Sequence, residues 1–142
     1  MRLRLIMLGK TRRPELRAVF DDYVKRIARS VPIEVNELRD AAAALKRLDA
    51  DRAAKAILLD AGGKSQDSVS LAGWLAEQRA QGTREIIFVC GDADGFNESL
   101  RKRVTQKLSL SPMTYSHELA RVMLAEQLYR AFAILSGSPY PK

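Results

Sequence analysis

Apolar residues in this chain fall into short blocks that switch between two periodicities. Arg2 to Leu8 alternates like a strand, and after a turn from Gly9 to Pro14 the set Leu16, Val19, Phe20, Tyr23 and Ile27 recurs at helical spacing. Ile33 and Val35 mark a second strand, and 41–54 is an alanine-rich, charged segment with Leu45 and Leu48 on one side, which predicts a helix. A third strand is expected over 56–60, stopped by a glycine turn at Ala61-Gly62-Gly63-Lys64. Ser68 is the expected N-cap of a helix that carries Leu71, Trp74 and Leu75 and closes near Gly82. Glu85 to Cys90 is almost continuously apolar, the pattern of a strand covered on both faces, and so predicts the centre of a parallel sheet. A loop at 91–95, a short helix around 98–104, a short strand at 107–111 and a final helix from about Ser116 to Leu135 complete the reading. Strands alternating with helices, without repeats, predict a three-layer α/β domain with a mostly parallel sheet.

The final helix is apolar on nearly every side, from Leu119 and Val122 through Leu128 to Phe132 and Leu135. One sheet cannot cover such a helix in a protein of 142 residues, so a homodimer interface is expected there. The length suits one domain spanning 1–142, and no apolar run is long enough to cross a bilayer. The apolar start breaks at Gly9-Lys10, too early for a signal peptide, and a cytoplasmic protein is expected. Cys90 and His117 are single, which excludes an internal disulfide and leaves too few soft ligands for an ordinary zinc site; no metal is expected. The net charge is +7 and sits mainly in residues 1–56, with 14 Lys/Arg against 8 Asp/Glu. Such a field suits a polyanion, since phosphate contacts release counterions, although many basic proteins bind none.

Ligands of open α/β sheets bind beyond the carboxyl ends of the strands, and here those ends lead into loops at 59–64, 91–95 and 109–115. The first strand is followed by Gly9-Lys10-Thr11-Arg12-Arg13 and not by a three-glycine dinucleotide fingerprint. A phosphoacceptor receiver domain would use Asp60 and Lys107, but it also needs an acidic pair after the first strand, where this chain is basic.

The stretch LSLSPMTYSHELARVMLAEQLYRA over 108–131 resembles the signature of the ribosomal RNA large-subunit methyltransferase H family, of the SPOUT class. The opening strand through Leu8-Gly9, the Leu59-Asp60 turn with Gly63-Lys64, the 91–95 loop and Pro139-Tyr140 match in the same order, so the likeness spans almost the whole chain. It implies a homodimeric enzyme with a C-terminal trefoil knot (an α/β-knot fold), a feature that pattern rules would exclude. The implied reaction transfers a methyl group from S-adenosylmethionine to N3 of a pseudouridine in 23S ribosomal RNA on the assembled ribosome, with neither a membrane nor DNA as partner. Carried over residue by residue, Leu59, Gly91, Leu110, Ser111, Pro112, Met113, Thr114 and Tyr115 become the donor-binding positions. Backbone groups would read adenine there, between apolar walls from Leu59, Leu110 and Met113.

His117 and Arg121, one helical turn apart, are candidates to handle a proton or grip the target base or a phosphate; the ordinary reading of a lone histidine near a helix start is a structural hydrogen bond. Glu126 and Arg130 form a second pair at the same spacing, read either as a salt bridge or, for Arg130, as a contact to RNA across a dimer. Tyr140 is a candidate for stacking or hydrogen bonding. The runs at 10–13 and 101–103 read as phosphate contacts or as solvated surface, and Cys90 as packing. Two departures from the family pattern stand out: Gly91-Asp92 replaces a double glycine, and Pro141 replaces a histidine usual in the tail. A competing reading is therefore a noncatalytic RNA-binding or ribosome-associated relative.

Overall fold

The computed structural model describes residues 1–140; Pro141, and with it the altered tail position, lies outside them. Five strands form one sheet in the order β2-β1-β4-β3-β5, with every neighbouring pair parallel. They are β1 (Arg2–Leu8), β2 (Ile33–Leu38), β3 (Lys55–Ser65), β4 (Glu85–Cys90) and β5 (Lys107–Ser109). The helices are α1 (Pro14–Ile27), α2 (Ala41–Asp49), α3 (Ser68–Ala80), α4 (Glu98–Arg103) and α5 (His117–Ser136).

The pleat sorts the central strands onto two cores. Leu3, Leu5 and Met7 of β1, with Ile86, Phe88 and Cys90 of β4, pack on the side of α1, α3 and α5. Ile6, Leu8, Ile87 and Val89 face the other side, against Ala44 and Leu48 of α2 and Leu100 of α4. All six residues of β4 are buried, as its unbroken apolar run predicts for the middle of a covered parallel sheet. Burying Phe88 alone contributes about 2 kcal/mol. Arg4 and Glu85 are the charged exceptions: Glu85 is ringed by Arg2 at 3.1 Å, Arg47 at 3.2 Å and Arg4 at 3.5 Å, which ties the amino ends of β1 and β4 to α2.

Four element boundaries differ from the sequence reading, one of them the end of β5, which stops at Ser109 and not at Ser111. The α2 helix stops at Asp49 and not near Ala54, because Asp51 turns the chain, its carboxylate accepting the Ala53 N–H at 3.1 Å. The cap of α3 is Asp67, which accepts the Ser70 N–H at 2.7 Å, so Ser68 is the first helical residue. The glycines at 62–63 do not end β3. The strand continues to Ser65 around a bulge, with both Leu59 and Lys64 opposite Leu108 of β5. A Cβ on Gly63 would come within 2.7 Å of the Lys107 Cβ, so only glycine lets the bulge lie this close to β5.

The α5 helix is built as a spine between α1 and α3. Ser116 caps it, accepting the Leu119 N–H at 3.4 Å, and Gly137 ends it with φ of 73°. Its interior positions Leu124, Ala125, Leu128 and Ala131 are fully buried, while Leu119 and Leu135 remain 38% exposed. No helix among the described residues is long and apolar enough to cross a membrane.

Candidate functional site

The bulge of β3 and the carboxyl ends of β4 and β5 open into one cavity of about 400 Å³, of a size that holds small ligands. Each wall has a local cause. From β3 come Leu59, Asp60 and Ala61, where the bulge begins. From β4 come Cys90 and the 91–95 loop, which folds back so that the Gly95 N–H reaches the Asp92 carbonyl at 3.0 Å. A Cβ on Gly91 would lie 3.0 Å from the Gly95 carbonyl oxygen, so a bare backbone at 91 is what allows this closure. The segment after β5 is shaped by two serines: Ser109 Oγ donates to the Ser111 carbonyl at 2.8 Å, and Ser111 Oγ accepts the Met113 N–H at 3.0 Å.

Of the eight donor-binding positions implied by the resemblance, Leu59, Gly91, Leu110, Ser111, Met113, Thr114 and Tyr115 line this cavity, and Pro112 does not. Phe96, Arg101 and Ala120 also line it. The sequence reads Arg101 as a phosphate contact or as solvated surface, and Phe96 gives no signal beyond following a loop glycine; Arg101 reaches the wall through Asp60 of the bulge and Phe96 as the neighbour of Gly95. Arg101 Nη1 donates to Asp60 Oδ2 at 2.5 Å, and its guanidinium lies 5.9 Å from the Phe96 ring centre. Burial works to raise the Asp60 pKa, but the Gly62 N–H and the Arg101 cation outweigh it and hold the carboxyl below its ordinary value. Asp92, the departure from a double glycine, stands in the wall with one oxygen already accepting the Asp94 N–H at 2.9 Å. Cys90 is buried, its thiol pushed up to about 12 by desolvation, so it is a neutral wall and no nucleophile at physiological pH.

The first turn of α5 faces two ways. His117 lines the cavity with its side chain 30% exposed, and its Nε2 lies 3.9 Å from Glu118. Glu118 and Arg121 point instead to the loop between β1 and α1. Glu118 Oε1 accepts the backbone N–H groups of Arg12 and Arg13 at 3.1 and 3.0 Å. Arg121, 1% exposed, donates to the Leu8 carbonyl at 2.7 Å and to Thr11 Oγ1 at 3.0 Å, and its Nε has no partner. Arg121 is thus a neighbour of the cavity whose guanidinium is spent on the loop, not turned toward a ligand. The loop it holds carries Lys10 and Arg12, exposed and free of side-chain ion pairs among the described residues.

Arg130 and Tyr140 lie elsewhere. Thirteen residues of helix separate Arg130 from His117, about 20 Å along α5. Arg130 is held by Glu126 at 2.7 Å and lies 5.3 Å from the Tyr140 ring centre, while the Tyr140 hydroxyl donates to Glu126 at 2.5 Å. Burial and this bond to a carboxylate raise the Tyr140 pKa, so the phenol stays protonated. The Glu126–Arg130 salt bridge of the sequence reading is present within one chain. The basic run at 101–103 is likewise engaged, by Asp60, Glu98 and Asp49 in turn.

Comparison with known proteins then adds three findings. The family model described as "Predicted SPOUT methyltransferase" matches residues 1–141. A protein of Pelobacter propionicus named ribosomal RNA large subunit methyltransferase H is 41% identical over 99% of both chains, and one of the same name from Koribacter versatilis is 41% identical over 99% of this chain and 97% of its own. The crystal structure of a tRNA (m1G37) methyltransferase from Aquifex aeolicus superposes with a TM-score of 0.62 at 17% identity, covering 100% of this chain and 75% of that one, which is a likeness of fold.

Proposed function

The chain belongs to the SPOUT methyltransferase family and is a ribosomal RNA methyltransferase, and on that premise we propose that it uses S-adenosylmethionine to methylate N3 of a pseudouridine in 23S ribosomal RNA. The observation that carries the reading is the convergence of the β3 bulge with the loops after β4 and β5, segments roughly 30 and 20 residues apart in sequence, on one cavity. Its chemistry fits the donor: Leu59, Leu110 and Met113 are apolar walls for a purine, Gly91 leaves backbone bare for close approach, and charged groups gather around Asp60 and Arg101. When bound, the donor supplies an electrophilic methyl group on a sulfonium.

The chain's own residues then have three tasks. Walls and loops fix the donor so that the methyl carbon faces the base in line, which replaces a bimolecular encounter by a held geometry. His117, the one imidazole and a cavity residue, handles the N3 proton or contacts the base. Glu118 and Arg121 position the basic loop beside the cavity, where Lys10 and Arg12 meet RNA phosphates. Arg121 is in this reading a positioning residue.

The 20 Å between His117 and Arg130 supports a further element. In a homodimer assembled on α5, Arg130 and Tyr140 of one copy reach the base held by the other, a role that neither can fill within one chain. We also place the reaction on the assembled ribosome in the cytoplasm, with the C-terminal segment threaded as a trefoil knot. Mapping N3-methylpseudouridine in ribosomal RNA from cells with and without the gene tests the reading. Loss of one methylated site is expected, and an unchanged map would leave a noncatalytic RNA-binding protein.

A further inference from the structure

Resting on the donor-site reading above, we propose that Asp60 and Arg101 form a subsite for the zwitterionic amino-acid end of the methyl donor. The donor's nucleoside half needs apolar walls and backbone, but its other half ends in an ammonium and a carboxylate, and these need partners of both signs.

Among the residues lining the cavity, Arg101 is the one permanent cation, and it stands directly against an anion, Asp60. Arg101 spends only Nη1 on that pair. Its Nη2 and Nε make no hydrogen bond to any described residue, so one edge of a planar fork suited to carboxylates is left open. Asp60 is held from two sides, by the Gly62 N–H at 3.1 Å on Oδ1 and by Arg101 on Oδ2, with its side chain 16% exposed; a lone pair remains on each oxygen for an ammonium.

The pair is also held in place before any ligand arrives. Arg101 is 43% exposed, yet its guanidinium is fixed by Asp60 below and by the Phe96 ring beside it, and all three residues line the same cavity. A mere surface salt bridge would not need an aromatic neighbour, an anion carried on a bulge, and an open guanidinium edge. The other ionisable residues of the wall lie apart from this pair: Cys90 ends β4, Asp92 is in the 91–95 loop, Tyr115 follows β5 and His117 starts α5.

The test is calorimetric titration of the purified full-length protein with three probes. S-adenosylhomocysteine carries both charged groups, its decarboxylated analogue keeps only the ammonium, and 5′-methylthioadenosine has neither. Arg101→Gln is expected to weaken S-adenosylhomocysteine roughly tenfold while changing the other two less than about twofold. Asp60→Asn is expected to weaken both ammonium-bearing probes and spare 5′-methylthioadenosine. Retained binding of that last probe reports an intact nucleoside pocket in either variant. Equal loss of all three probes, or no loss of any, overturns the subsite while leaving the donor pocket standing. Failure of all three to bind the unsubstituted protein overturns the donor-site reading and the subsite with it.

Discussion

Arg121 of the last helix donates its Nη2 hydrogen to the carbonyl of Leu8, the last residue of the first strand, at 2.7 Å. Four-fifths of the chain lies between them, and the bond joins the start of α5 to the exact point where the basic loop leaves the sheet. Burial lowers the Arg121 pKa, but a guanidinium starts so high that it stays charged, so the fold holds a buried cation for this purpose. Replacing it by alanine strands the Leu8 carbonyl and the Thr11 hydroxyl and opens a cavity.

Arg121→Ala is therefore expected to cost about 3 kcal/mol in urea unfolding and to speed amide exchange at residues 9–13. A loss under about 0.5 kcal/mol would show that the loop is held by other means.

Glu118 makes the same loop sensitive to acid. The Arg13 N–H is the main cause that lowers its pKa, with the Arg12 N–H, His117 and Arg121 adding to it and burial opposing. A carboxyl depressed in the folded state contributes stability that is complete above its unfolded pKa of about 4.3 and is lost as pH falls through the lower folded value. The unfolding midpoint should thus fall from about pH 5 to pH 3 more steeply in the unsubstituted protein than in Glu118→Gln. Parallel profiles would contradict the assignment.

Legibility in the sequence followed the range of the interactions. β4 was readable because a nearly unbroken apolar run needs no partner to be recognised, and α1 because Leu16, Val19, Phe20, Tyr23 and Ile27 keep helical spacing after the turn that ends at Pro14. The continuation of β3 past Gly62-Gly63 was not, since a glycine pair signals a turn unless a neighbouring strand, here β5, claims the backbone beyond it. For the site, the positions along 108–131 announced themselves as a motif, but spacing alone set His117 and Arg121 on a common face. It took the fold to send one into the cavity and the other to Leu8 and Thr11. Arg101 joins the wall through its pair with Asp60 of the β3 bulge, and Phe96 as the residue that follows Gly95, a meeting of distant segments that no local pattern encodes.

Gly91→Ala separates donor binding from folding. The new Cβ would press on the Gly95 backbone at 3.0 to 3.2 Å and push the 91–95 loop out of register. Donor affinity should drop at least about tenfold while stability changes by no more than about 2 kcal/mol. Unchanged affinity would mean that the loop takes no part in the pocket.

Subunit mixing tests the division of labour across a dimer. Arg130→Ala and Gly91→Ala, each weak in transfer alone, should regain activity when co-refolded, because a mixed dimer contains one site with an intact donor loop and the intact Arg130 it needs from the other copy. Absence of any gain would place Arg130 outside the reaction and leave it to the Glu126 salt bridge.

The most direct measurement is transfer of isotopically labelled methyl from S-adenosylmethionine to ribosomes purified from cells that lack the gene, followed by location of the label. Label confined to N3 of a single pseudouridine in the large-subunit RNA, and strongly reduced with Gly91→Ala, is the predicted result. Ribosomes that stay unlabelled while the protein binds the donor, or label spread without regard to Gly91, would contradict the claim that this strand-end cavity is a methyl-transfer site.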